Sequence, residues 1–268
     1  MCELLGMSAN VPTDICFSFT GLMRRGGDTG PHRDGWGIAF YEGRACRSFH
    51  DPTPSATSPI ADLIHRYPIR SEVVISHIRQ ATHGRVSLEN THPFVRERWG
   101  RALCFAHNGK LKGARALPLG RARPLGDTDS ERAFCWLLAR AEERWGERAP
   151  SARVFARALE GWLRALAARG TCNVLLSDSR ALYAFCTTSL WYLTRRAPFA
   201  EASLLDADLR VDFREETTPS DVVTILATRP LTEGEPWVPL APRVLYVFER
   251  GELVSPAPAH AHVLSHAP

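Results

Sequence analysis

The order of elements predicts an α+β protein built on two sheets. Segments patterned as strands bracket two central helices instead of alternating with them, which excludes a single parallel sheet of βαβ units. No internal repeat and no clear linker interrupts the 268 residues. One domain is therefore expected over residues 2–254, followed by a disordered tail over 255–268 that is rich in Pro, Ala and His.

Taken in order, Leu4 to Met7 read as a short apolar strand. Thr13 or Asp14 caps a helix running to Met23, with Arg24 and Arg25 in its last turn and Gly26 as its stop. A glycine-rich loop, Gly26 to Gly35, leads into strands at Trp36–Tyr41 and Arg44–Phe49 that turn at Glu42-Gly43. Ile60 to Tyr67 is a short helix ended by Pro68, and Glu72 to Arg79 is a strand running into the polar loop Gln80–Pro93. Arg101 to His107 is a strand closed by Asn108-Gly109. The central helices follow. Asp127 or Thr128 caps the first, Asp129 to Trp145, with apolar residues at Ala133, Trp136, Leu137 and Ala141; the second spans Ser151 to Ala168. Strands then dominate: Cys172–Leu176, Ala181–Thr187, Leu190–Thr194, Val222–Thr228 and Val244–Glu249, the last entering a hairpin at Glu249–Glu252.

Composition narrows the classes of function. No apolar run approaches the roughly 18 residues that mark a membrane span, and the N-terminus lacks the basic-then-apolar order of a signal peptide. A cytoplasmic protein is expected. The seven cysteines are odd in number and form no CxxC pair, so neither a zinc site nor a disulfide framework is indicated. Lys110 and Lys112 are the only lysines; the arginines are spread along the chain, which argues against a nucleic-acid surface.

Chemistry concentrates at the start. Cys2 follows Met1 directly. Its side chain is small enough for removal of the methionine, which would leave a cysteine bearing both a thiol and a free α-amine. A thiol needs a base to activate it. The α-amine, with a reference pKa of about 7.7–8.0, suits that task far better than a lysine at about 10.4. For position 2 alone, an ordinary exposed start residue is the commoner reading.

Three polar clusters stand at strand or helix ends. In His77-Ile78-Arg79-Gln80-Ala81-Thr82-His83-Gly84, His77 and Arg79 share a strand face, and the Arg fork suits a carboxylate. In His107-Asn108-Gly109 the Asn amide and Gly N–H could form an oxyanion hole, though Asn-Gly alone reads first as a hairpin turn. Gly126-Asp127-Thr128-Asp129-Ser130-Glu131 is a helix N-terminus whose acidic residue could meet a ligand ammonium, with capping the commoner role.

Together, and in this order, these segments resemble the class II glutamine amidotransferases, a branch of the N-terminal-nucleophile hydrolases, and in particular the stand-alone YafJ-like subfamily. The resemblance runs from Met1-Cys2-Glu3-Leu4-Leu5-Gly6-Met7 through Asp34-Gly35-Trp36-Gly37, His77-Ile78-Arg79-Gln80-Ala81, Glu89-Asn90-Thr91-His92-Pro93-Phe94, His107-Asn108-Gly109 and Thr128-Asp129-Ser130-Glu131 to Val222-Val223-Thr224-Ile225. It implies a four-layer αββα sandwich. It also implies Cys2 as nucleophile, Asn108 and Gly109 as oxyanion hole, Arg79 on the substrate α-carboxylate with Thr82 nearby, and Asp129 on the α-ammonium. Arg25, counted with the substrate-binding residues, matches a family Arg-Gly pair near the nucleophile. No cofactor or metal is implied; His77, His92 and His107 read as structural supports. The implied activity is hydrolysis of glutamine to glutamate and ammonia through a γ-glutamyl thioester, with the ammonia passed to a separate synthase. Hydrolysis of another γ-glutamyl amide is the alternative, and a non-catalytic regulatory subunit that kept the fold is a second.

Overall fold

The computed structural model describes residues 2–67, 69–81, 84–213 and 218–256. In chain order the elements are β1 (Glu3–Thr13), α1 (Cys16–Arg25), β2 (Trp36–Glu42), β3 (Ala45–Asp51), α2 (Pro59–Arg66), β4 (Ser71–Ile78), β5 (Phe94–Arg98), β6 (Arg101–Leu111), α3 (Asp129–Trp145), α4 (Ala152–Ala167), β7 (Gly170–Ser177), β8 (Leu182–Phe185), β9 (Trp191–Arg196), β10 (Glu201–Leu204), β11 (Arg210–Asp212), β12 (Val222–Ala227), β13 (Thr232–Glu233), β14 (Val238–Pro239), β15 (Leu245–Glu249) and β16 (Glu252–Ser255).

The strands form two large antiparallel sheets. One has the order β14-β9-β12-β1-β4-β2-β3 and the other β16-β15-β8-β7-β6-β5. A third, small sheet has the order β11-β10-β13. Three apolar clusters define the layering. Phe19, Leu22 and Ile64 of α1 and α2 pack on Leu5, Met7, Ile38 and Ile225 of the first sheet. Leu4, Ile75 and Leu226 of that sheet meet Cys104, Ala106, Leu175 and Phe248 of the second. Phe105, Val174 and Tyr183 then pack beneath Phe134, Phe155 and Leu159 of α3 and α4. The result is the four-layer αββα sandwich. Strand alternation is what permits it, because each central strand offers apolar side chains on both faces.

The central helix α3 begins where its capping residue predicts, the Thr128 hydroxyl accepting from Glu131 N at 3.2 Å. At α1 the cap position falls to Ile15, which has no side-chain acceptor, just past the expected Thr13 or Asp14; the Asp14 carboxylate accepts from Cys16 N at 2.7 Å just ahead of the helix. Three further features depart from the sequence reading. Asn108-Gly109 is not a turn: β6 continues to Leu111, because β7 supplies a partner all along it, with Asn108 opposite Asn173 and Gly109 opposite Cys172. The charged run Arg96-Glu97-Arg98 belongs to a strand, since β5 is an edge with one face open to water. The 197–233 excursion carries the small third sheet, whose Leu204 packs near Gly21 of α1. The late hairpin is present, with Arg250 and Gly251 both at positive φ (50° and 78°), as a two-residue turn matched to strand twist requires. Of the expected tail, Ser255 closes β16, and residues 257–268 lie outside the described residues.

Candidate active site

The first strand delivers Cys2 to one end of the sandwich. Glu3 pairs with Ile78 and Leu4 with His77 in the β1–β4 ladder. Cys2 therefore lies beside Arg79 and Gln80 as β4 ends. Its Sγ is 3.3 Å from Gln80 N, which donates to it, and 3.5 Å from Gln80 O. Burial pushes the Cys2 thiol up, and the Gln80 N–H and Arg79 guanidinium pull the other way. A buried thiol of this kind needs a nearby base to become a thiolate.

From the second sheet Asn108 meets this strand end. Its side-chain N–H donates to the Cys2 carbonyl oxygen. The two sheets are thus joined at Cys2 by one buried amide. Gly109 follows at a place where no side chain fits. A Cβ there would sit 2.0 Å from Thr171 O and 2.8 Å from His107 Nε2, so only Gly lets the strands close.

Arg79 is buried in the turn beyond β4. Its guanidinium donates to Arg85 O at 2.8 Å, and its backbone is held by Gly35 O at 2.8 Å and by Asp34 N at 3.1 Å. The Asp34 carboxylate accepts from Ala81 N at 2.7 Å. The Asp34-Gly35 loop therefore fixes the segment that carries Arg79. Thr82 lies outside the described residues.

Two residues at the start of α3, Asp129 and Ser130, tie it to β6, and their neighbours Thr128 and Glu131 fix the helix start and the turn before it. Thr128 caps the helix. Asp129 Oδ2 accepts from Leu111 N at 2.7 Å. The Ser130 hydroxyl lies 2.8 Å from His107 Nδ1. Glu131 accepts from Leu125 N at 2.9 Å and Gly126 N at 2.7 Å and pairs with Arg96 at 2.5 Å. Ahead of them Asn90 and Asp127 exchange two bonds, of 2.8 and 3.0 Å. Asp129 is accordingly fixed to the strand that carries Asn108, three residues beyond it.

Arg25 stands on the other face of β1. Its guanidinium pairs with Glu3 at 2.8 Å and Asp206 at 2.6 Å and donates to Pro230 O at 2.7 Å. Glu3 also pairs with Arg229. Glu3 and Arg25 are 3% and 4% exposed, so they are desolvated charges that need each other. The structure brings Cys2, Arg79, Gln80 and Asn108 together and joins Asp129 to the Asn108 strand; Arg25 it engages with the residue next to Cys2. Sequence reasoning did not single out Glu3, Asp206 or Arg229. The one available signal was an acidic side chain inside an apolar opening strand, which burial obliges to find a cation.

His77 and His92 stack with ring centroids 4.3 Å apart, and His92 continues onto Phe94 at 4.4 Å. Gly37, opposite His77 in the β2–β4 ladder, leaves the room: a Cβ there would be 2.3 Å from His92 O. Burial holds His77 down to about 3, with the charges of His107 and Arg79 adding to it. His92 is likewise held well below its usual value by burial and by His77, and His107 is lowered by burial against the pull of Asp129. Burial thus biases all three rings toward their neutral forms. No group of three metal-ligating side chains converges among the described residues, and no helix among them is long and apolar enough to cross a membrane.

The profile of the family described as glutamine amidotransferases class-II matches residues 1–267. The protein YafJ of Escherichia coli (strain K12) is 55% identical over 254 residues, covering 95% of this chain and all of YafJ. A Haemophilus influenzae relative is 44% identical over 95% of this chain and 86% of its own length. A Pseudomonas aeruginosa crystal structure, of a protein titled a predicted glutamine amidotransferase, superposes with a TM-score of 0.77 at 51% identity, over 95% of this chain and 100% of that one. The glutamine phosphoribosylpyrophosphate amidotransferase of Bacillus subtilis shares the fold, with a TM-score of 0.63 at 14% identity over 94% of this chain and 48% of that one.

Proposed function

The chain belongs to the class II glutamine amidotransferases, and from that membership we propose that it hydrolyses the γ-amide of glutamine through a thioester on Cys2. The observation that carries this is the junction at the end of β1, where the Cys2 thiol lies against Gln80 and the Asn108 amide reaches the Cys2 carbonyl. Once Met1 has been removed, the α-amine of Cys2 takes the thiol proton and the sulfur attacks the γ-carbonyl. Negative charge develops on the carbonyl oxygen, and the second N–H of Asn108 with the backbone N–H of Gly109 meets it. The protonated amine then gives its proton to the departing ammonia. Water, activated by the same amine, releases glutamate. A thiol needs a base before it can attack, and the α-amine beside it is suited to that task.

In this reading Arg79 receives the α-carboxylate of glutamine, Asp129 receives its α-ammonium, and Thr82 assists at the carboxylate. Arg25 acts through Glu3 by fixing the strand that ends in the nucleophile. The reaction is placed in the cytoplasm, and a separate ammonia-accepting synthase is the partner. Two preparations test the proposal, one beginning at Cys2 and one with Met1 retained. Each is incubated with glutamine while glutamate and ammonia are assayed. The first should release both in equal amounts and the second neither. Equal turnover by the two would remove the α-amine from the mechanism, and no turnover by the first would remove glutamine as substrate.

A further inference from the structure

The apolar seam between the two large sheets contains three cysteines that the amidohydrolase chemistry does not use, Cys46, Cys104 and Cys186, and the first two lie near the hairpin tips where the sheets close. Cys46 lies opposite Tyr41 in the β2–β3 hairpin, and Cys104 lies opposite Ser177 in the β6–β7 ladder. The Tyr41 hydroxyl bridges from one pair to the other: it lies 2.9 Å from Ser177 O and 2.8 Å from Ala102 O. Arg44 and Ala102 stand two residues before the respective cysteines, and there the sheets close to backbone contact, Ala102 N donating to Arg44 O at 2.9 Å. The tips of the β2–β3 and β5–β6 hairpins therefore meet, and from them β3 and β6 lead away side by side, each carrying its cysteine into the same cluster. A disulfide needs Cα atoms about 4.4–6.8 Å apart, closer than the roughly 10 Å between packed sheets. At these tips the sheets are drawn together to backbone hydrogen-bonding distance, two residues from each cysteine. The two thiols also sense one another, Cys46 being lowered chiefly by its contact with Cys104. Cys46 is half-buried and Cys104 buried, so one thiol is open to a small oxidant and the other is shielded.

We propose that Cys46 and Cys104 form an oxidisable dithiol that closes to a disulfide between the two sheets, tying the β2–β3 hairpin to the strand that carries Asn108. The oxidant is hydrogen peroxide. The Cys46 sulfur attacks the peroxide oxygen, the O–O bond breaks, and one water leaves with formation of a sulfenic acid. The Cys104 sulfur then displaces the sulfenic oxygen as a second water, its thiol proton going to that oxygen. Two thiols lose two electrons and two protons, and the peroxide is reduced to two waters.

The test uses full-length protein carrying Cys2→Ser, so that the proposed nucleophile cannot itself be oxidised. The protein is treated with hydrogen peroxide, quenched, unfolded in denaturant with an alkylating agent, and cut with trypsin. Arg44, Arg47, Arg101 and Lys110 bracket the two cysteines, so the expected product is residues 45–47 joined to residues 102–110. That product should vanish on reduction, be absent from Cys46→Ser protein, and accompany a rise in Tm of the oxidised sample. The proposal is overturned if both cysteines are recovered alkylated after peroxide, if Cys46 passes to sulfinic acid while Cys104 stays alkylatable, or if either is found joined to another cysteine.

Discussion

The side-chain amide of Asn108 donates to the carbonyl oxygen of Cys2, across the seam between the two large sheets. One N–H of that amide is thereby committed to holding the backbone of Cys2, and in the proposed reaction the other faces substrate. Asn108→Ala should therefore lose two functions together. In the proposed reaction an oxyanion donor is worth about 10²–10³ in kcat. The variant should fall in that range while its Tm drops by a few degrees for the lost buried bond, roughly 1–3 kcal/mol. Steady-state kinetics on glutamine beside a thermal melt measures both. Unchanged kcat with a lowered Tm would leave Asn108 a purely structural tie.

Substitution of the nucleophile separates chemistry from folding. Cys2→Ala removes a half-buried thiol whose contacts are with the Gln80 backbone. Stability should stay within about 1 kcal/mol of wild type. Glutaminase activity should fall by roughly a thousandfold or more, as when the central member of a catalytic unit is removed. Cys2→Ser should be nearly as damaging, because a hydroxyl ionises far less readily. Near wild-type turnover by the Ala variant, measured as glutamate release, would end the thioester mechanism.

Conservative changes test the proposed amino-acid clamp. Arg79→Lys keeps the charge and loses the planar fork. Asp129→Asn keeps an acceptor for Leu111 N and loses the charge. Each should raise KM for glutamine by about 10–100-fold, the worth of a charge-assisted hydrogen bond of roughly 1.5–3 kcal/mol, with a smaller change in kcat. A variant with unaltered KM would take its residue out of the clamp.

Much of this arrangement was legible in the sequence because its parts are local. The cap Thr128, the helix Asp129–Trp145 and the polar runs at strand ends each write their structure into neighbouring residues. Two kinds of feature were not. Asn108-Gly109 carries the local pattern of a turn, and only the partner strand β7 extends the ladder through it. The Glu3–Arg25–Asp206 ion cluster joins β1, α1 and the excursion around the third sheet. Pairings of that sequence separation leave no local trace beyond a charge in an apolar strand. The layering was legible only in part: strand number allowed two sheets, but which helices cover which sheet is set by the crossing of the chain after β4.

The ion cluster makes its own prediction. Glu3→Gln leaves the buried Arg25 with Asp206 as its remaining anion. Breaking one side of a buried pair costs about 3 kcal/mol, or roughly 6–12 °C in Tm for a chain of this size. Arg229 pairs with the same carboxylate but is 59% exposed, so Arg229→Ala should cost under about 1 kcal/mol. Because Glu3 adjoins Cys2, the Gln variant should also lose kcat. Equal melting temperatures for the two variants would show that the Glu3–Arg25 pair contributes no more than a surface contact.

The stacked histidines set the acid limit of the fold. His77 titrates near 3 in the folded protein, lowered first by burial and then by the charges of His107 and Arg79, against about 6.5 in an unfolded chain. Between those values the unfolded state binds a proton that the native state does not, so stability rises with pH across that window. The contribution is complete above about pH 6.5 and is lost as pH falls toward 3. His92 and His107 shift in the same direction and steepen the loss. His77→Phe keeps a ring against His92 and removes one titrating group. Its Tm should fall less than that of wild type between pH 6.5 and pH 4, and the two curves should run parallel above pH 7. Tm profiles with the same slope throughout would mean that His77 does not enter the folded protein as a neutral ring, and that its stack on His92 tolerates charge.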